Sequence, residues 1–145
     1  SSHVREAIES GNMETARKFL DRYYSIVGPV VAGYKTGQAI GFPTANIDTS
    51  KVQIPGTGVY AVRMIYENKP YDAVANIGFN PTFQRDRLSV EVHIFDFSQV
   101  IYGKEIEVEF IARIRSEIEF KSKEELVVQI NKDIEKAKIL LEESN

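Results

Sequence analysis

Leu88-Ser-Val-Glu-Val-His-Ile-Phe95 alternates between two kinds of residue along its whole length. Successive side chains of an extended chain point to opposite faces, so Leu88, Val90, Val92 and Ile94 share one face and Ser89, Glu91, His93 and Phe95 the other. An apolar face backed by a polar one marks an antiparallel strand lying on a core, which sets the fold class as mainly β. Outward from it, Ser25–Val31, Val59–Tyr66, Asp72–Ile77 and Glu105–Ile114 read as further strands separated by turn residues. That rhythm argues for a sandwich or barrel and against alternating βαβ units. Tyr66-Glu67-Asn68-Lys69-Pro70 reads as a hairpin connection, while Gly33–Gly58 is long and irregular for so compact a domain, as functional loops often are.

The two ends are helical. Ser2 can cap a run ending near Gly11, and Asn12 can cap a second run carrying Ala16, Phe19 and Leu20. Their apolar faces are thin, so residues 1–23 are read as a boundary segment that needs a surface to pack on, with the main domain spanning 24–145. At the other end Ser122 and Glu125 form a capping-box pattern, and Leu126, Ile130, Ile134, Ala137 and Leu141 recur on one face of a long helix expected to lie against the sheet.

The 145 residues suit one domain, and with 43% hydrophobic and 27% charged residues the composition is that of an ordinary soluble protein. No apolar run approaches the roughly 20 residues a membrane span needs, so no membrane association is expected. The absence of cysteine excludes disulfides, thiolate nucleophiles and cysteine-held metals, leaving oxygen and histidine chemistry, and it fits a cytoplasmic setting. A net charge of −3 offers no general attraction to nucleic acid. The chain opens Ser1-Ser2-His3-Val4-Arg5 without an initiator Met and without a signal-peptide apolar stretch, so it is expected to continue a longer protein.

Chemistry concentrates between Gly33 and Asn46. Gly33, Gly37 and Gly41 allow backbone N–H groups to approach an anion, and Lys35 and Thr36 add donors, although glycine spacing of this kind is more often only a turn. Pro43 stiffens the approach to Thr44 and Asn46, which in an extended stretch point to the same side. A hydroxyl and an amide oxygen so placed suit magnesium, which keeps waters and substrate phosphates as the rest of its shell; taken alone, an Asx or ST turn is the commoner explanation. On the polar face of Leu88–Phe95, Glu91 could accept the proton of a bound alcohol during phosphoryl transfer, whereas a solvent-facing carboxylate is the ordinary alternative and His93 reads as structural.

Five ordered motifs then carry a resemblance: Gly37-Gln-Ala-Ile-Gly-Phe-Pro-Thr-Ala-Asn-Ile47, Gly56-Thr-Gly-Val-Tyr60, Asn76-Ile-Gly-Phe-Asn-Pro-Thr-Phe83, Val90-Glu-Val-His-Ile-Phe-Asp-Phe97 and Ile101-Tyr-Gly103. Together they resemble the riboflavin kinase family from about Tyr24 to Leu141. The resemblance implies a six-stranded antiparallel Greek-key barrel with short N-terminal helices and a long C-terminal helix. It also implies transfer of the γ-phosphate of ATP to riboflavin, giving FMN and ADP, with magnesium as cofactor.

Carried over by residue, it makes Glu91 the catalytic base, and Thr44 and Asn46 the ligands of metal and nucleotide. Gly33, Lys35, Thr36, Gly37, Gly41 and Pro43 would lie around the ATP phosphates, and Arg115 and Phe120 on the flavin side. Gln38, where many relatives carry Arg, and Val100, where an acidic residue is common, depart from the pattern. Ser1-Ser2-His3-Val4-Arg5 is similar to the end of the FMN adenylyltransferase module of bacterial bifunctional FAD synthetases, so such a module is an expected covalent partner. A second reading is a flavin-binding regulatory or carrier module that kept the barrel and lost turnover.

Overall fold

The structure, a computed structural model, describes residues 2–31, 41–79 and 88–144. Six strands close into a barrel: β1 (Tyr24–Val31), β2 (Ala45–Ile47), β3 (Gly58–Tyr66), β4 (Lys69–Phe79), β5 (Leu88–Ile94) and β6 (Glu105–Arg115). Their order around it is β1-β2-β5-β4-β3-β6, with antiparallel neighbours throughout. β3, β4 and β5 form a meander and β6 returns beside β3, which is the Greek-key path. The five strands expected from alternation are all present. β4 is longer than expected because its hairpin turn is only Glu67 and Asn68, both at positive φ (49° and 65°). Lys69 and Pro70 therefore already pair with Tyr66 and Ile65. Pro70 is tolerated because β4 meets β5 only from Ala73 onward, so no partner strand needs its missing N–H. The sixth strand, β2, has three residues and escaped the alternation test, which needs a longer run.

The interior is the apolar face of each strand: Val90, Val92, Ile77, Val62 and Val108 are fully buried. Tyr60 and Phe110 meet edge to face at 5.2 Å in its middle. Each such large side chain contributes roughly 1.5–3 kcal/mol by burial. The barrel is thus a filled core and not a pore. Among the described residues, no helix is long and apolar enough to cross a membrane.

Helices α1 (Ser2–Ser10) and α2 (Met13–Leu20) lie against this barrel. Gly11 ends α1 at φ 79°, its N–H reaching Ile8 O and that of Asn12 reaching Ala7 O, a Schellman closure. Asn12 then caps α2 by accepting from Thr15 N at 3.1 Å. Met13 enters the main core, and Gly56 N donates to Ile8 O at 2.9 Å. Tyr60 Oη in turn donates to Gly56 O. The Gly56–Tyr60 motif therefore has a structural reason: it receives the end of α1. A Cβ at Gly11 would sit 2.5 Å from Tyr60 Oη in a backbone conformation that disfavours side chains. Gly11→Ala is expected to destabilise the fold by about 1–3 kcal/mol, read as a lowered denaturation midpoint; an unchanged midpoint would contradict it.

Helix α3 (Lys123–Glu143) covers the outer face of β3, β4 and β6, where Ala137 and Leu141 bury Ala61, Val74 and Ile111. Ser122 caps it as expected, accepting from Glu125 N at 3.2 Å, but the Glu125 carboxylate accepts from Lys121 N, one residue upstream of the usual capping-box partner. The last turn of α3 holds no basic residue. Arg63 of β3 supplies that charge across the fold, donating to Leu141 O at 2.9 Å and Ser144 Oγ at 2.7 Å, where the helix dipole favours a cation.

Candidate active site

Residues directly opposite each other on antiparallel strands project from the same face. Asn46 stands opposite Glu91, Glu91 opposite Asn76, Asn76 opposite Val59, and Val59 opposite Arg115. One row across the outside of the barrel thus runs from an amide through a carboxylate to a guanidinium. At ~4.8 Å per strand, Glu91 and Arg115 are about 14 Å apart, room for an extended ligand.

A cavity lies over this row, between the sheet and the N-terminal half of α3. Glu91 and His93 form one end with Phe42 and Thr44; Arg115, Glu117, Ile118 and Phe120 form the other. Burial raises the Glu91 pKa above its ordinary value. Burial also raises that of Glu117, and the neighbouring Arg115 charge opposes the shift. The Glu117 carboxylate rests over Gly78, where any Cβ would collide with it. Arg115 is gripped by Asp133 of α3 through Nε–Oδ1 at 2.9 Å and Nη2–Oδ2 at 2.8 Å, and Gln129 donates to Asp133 Oδ1 at 3.0 Å. The Phe120 ring lies 5.8 Å from the Arg115 guanidinium carbon. This end presents an apolar, aromatic surface with fixed polar groups, suited to a planar heterocycle.

A second cavity opens at the end of the barrel, lined by Val30, Asn46, Phe97, Ile101 and Tyr102. Val100, one of the two departures from the resemblance, sits on its rim, 88% exposed. Thr44 lines both cavities, with Phe42 in the first and Pro43 and Asn46 in the second. The short Pro43–Asn46 segment is therefore the partition between them, with Thr44 and the buried Asn46 at the border of the two cavities.

Thr44, Asn46 and Glu91 are brought together, with Pro43 beside them and Arg115 and Phe120 at the far end of the same cavity. Gly41 adopts φ 94° just upstream. Gly33, Lys35, Thr36 and Gly37, and Gln38 with them, lie outside the described residues. His93 has a structural partner: its Nδ1 lies 2.9 Å from Pro43 O, and its ring meets Phe42 edge to face at 5.6 Å.

The donor set fits magnesium. Thr44 and Asn46 provide neutral oxygens on one extended segment, and among the described residues no group of three or more His, Cys, Asp or Glu stands ready to cage an ion. A hard cation that takes most of its shell from water and phosphate needs only such a partial protein site.

Sequence reasoning missed Asp133 and Glu117 as cavity residues. Asp133 did leave a signal: it lies three residues after Ile130 and four before Ala137, so a charge interrupts the apolar stripe. Glu117 left none, because its burial comes from contact with Gly78, 39 positions away.

A family model described as flavokinase, riboflavin kinase, matches residues 20–141. The chain is 45% identical over 139 residues to the bifunctional riboflavin kinase/FMN adenylyltransferase of Haemophilus influenzae, covering 95% of this chain and 45% of that protein. The Bacillus subtilis protein of the same name is 45% identical over 141 residues, covering 94% and 45%. The chain thus spans less than half the length of these curated relatives. Among solved structures, the riboflavin kinase of Trypanosoma brucei is similar with a TM-score of 0.59 at 25% identity, covering 83% of this chain and 81% of that one. A Streptococcus pneumoniae structure described as a macrolide-efflux protein is similar with a TM-score of 0.88 at 38% identity, covering 95% and 46%.

Proposed function

The chain belongs to the riboflavin kinase family, and on that premise we propose that it transfers the γ-phosphoryl group of MgATP to the terminal ribityl hydroxyl of riboflavin, giving FMN and ADP. The observation that supports the reading is the partition: Thr44 borders two cavities, and Glu91 lines the first of them. Riboflavin is a planar tricyclic ring with a polyol tail. The aromatic end of the first cavity, with Phe120 and Ile118, suits the ring, and Arg115 and Glu117 there can meet its polar edge. The tail then runs along the row toward Glu91 and brings its last hydroxyl to the partition. The second cavity, with Tyr102 and Phe97, suits the nucleotide.

In the reaction the ribityl oxygen bonds to the γ-phosphorus as the bond from that phosphorus to the β–γ bridging oxygen breaks, and ADP leaves with the electron pair. Glu91 orients the hydroxyl and accepts its proton. Thr44 and Asn46 would hold magnesium, which neutralises phosphate charge. Holding the donor and acceptor on either side of the Pro43–Asn46 segment fixes their approach and supplies the proximity that phosphoryl transfer chiefly requires. The cytoplasm, and a linked adenylyltransferase module in the full-length protein, complete the proposal; bifunctional relatives support the latter.

The test is to incubate the chain with riboflavin, ATP and magnesium and separate the products by chromatography. FMN is expected, and it should disappear in excess chelator. Riboflavin binding without FMN would leave a carrier module instead. Thr44→Val, nearly equal in shape, should lower turnover at limiting magnesium with an unchanged melting curve. An unchanged rate there would remove Thr44 from the ligand set.

A further inference from the structure

Among the described residues, the segment that separates the two cavities has few backbone partners. β2 offers only Ala45, Asn46 and Ile47 to the ladder, so Thr44 lies just outside it. Pro43, next upstream, has no N–H to extend the pairing. If the β2–β5 register continued, Thr44 would stand opposite His93, since Ala45 stands opposite Val92. Instead of a ladder bond, the His93 side chain fills this place: Nδ1 lies 2.9 Å from Pro43 O, and the ring buttresses Phe42 edge to face. Phe95 also meets the imidazole edge to face at 5.9 Å. A carbonyl oxygen only accepts, so Nδ1 carries the proton and donates.

We propose that His93 is a positioning residue for phosphoryl transfer: its Nδ1–H replaces the missing ladder bond at Pro43 and thereby fixes Thr44 between the two cavities. His93 does not exchange a proton with the substrate in this scheme; it acts through Thr44. The inference rests on the kinase reading for the role of Thr44, while the geometry of the strut stands apart from it.

The two nitrogens of imidazole have different side-chain mimics. Asparagine carries its amide nitrogen near the position of Nδ1, and glutamine carries its own nearer Nε2. In the intact chain, His93→Asn should therefore keep the magnesium concentration for half-maximal FMN formation within about threefold of the parent. His93→Gln, lacking a donor within reach of Pro43 O, should raise it about tenfold, the factor that one net hydrogen bond of ordinary strength carries. Amide exchange of segment 41–47, followed by mass spectrometry, should be faster in the Gln variant than in the Asn variant. Equal behaviour of the two variants, or a better Gln than Asn, overturns the proposal. If the parent makes no FMN, the kinase reading has failed, and the exchange comparison alone then decides whether the strut exists.

Discussion

Glu91→Gln is expected to lower kcat by about 10²–10⁴-fold, the usual contribution of a general base, or roughly 3–5 kcal/mol of barrier at ~1.36 kcal/mol per decade. The amide keeps the size and one acceptor, so riboflavin affinity should change little. The same substitution should stabilise the protein at neutral pH, and the sign follows from burial. Burial raises the folded pKa of Glu91 above the ordinary value of 4.5, so the fold favours its protonated form. The stability linked to that preference is fully present below the unfolded pKa and is lost as pH rises through the folded one. At neutral pH the parent therefore holds an ionised carboxylate that burial disfavours, and glutamine removes it. Melting curves should place the variant above the parent at pH 7, with the difference closing below the ordinary carboxylate pKa. The parent's kcat/KM should also show an acid limb centred above 4.5, which the Gln variant lacks. Near-normal kcat in Glu91→Gln, or a lower melting temperature at pH 7, would oppose the assignment.

Glu91 also marks how far the sequence alone could go. Alternation put Glu91 and His93 on one face and left their roles to charge and to family resemblance; the contact that separates them, Nδ1 to Pro43 O, joins residues 50 positions apart. Strands of seven residues or more declare themselves by period, which is why β5 and its long neighbours were legible. β2 did not, because three residues held between β1 and β5 owe their strand state to partners and not to any local pattern. The glycines of the Gly56–Tyr60 motif were visible as a signature, but their physical reason is the docking of α1, through Ile8 O on Gly56 N. In the site itself, type and spacing singled out Thr44, Asn46 and Glu91 as candidates, and their roles came from the family resemblance. The far wall was not legible, since Asp133 looks like a helix residue until β6 brings Arg115 to it.

That wall carries the second large effect. The Asp133 side chain is 4% exposed and Arg115 17%, and the carboxylate spends both oxygens on the guanidinium while also accepting from Gln129. Breaking a buried pair from one side strands the other charge, a loss of about 3–5 kcal/mol; Arg115 keeps some access to water, which favours the lower end. Asp133→Ala should therefore lower the melting temperature by on the order of 10 °C for a chain of this size. It should also weaken riboflavin binding, because Arg115 ends β6 beside Phe120 and Glu117 and nothing else described holds its guanidinium to α3. Stability and binding can be separated. Replacing both partners, as Arg115→Met with Asp133→Leu, removes the stranded charge and should restore stability to within about 1 kcal/mol of the parent. Riboflavin affinity should stay low in this double variant, because the polar end of the cavity has gone. A double variant that recovers both stability and affinity would make the pair a packing element only. An Asp133→Ala protein that melts with the parent would show that the pair does not hold β6 to α3 at all.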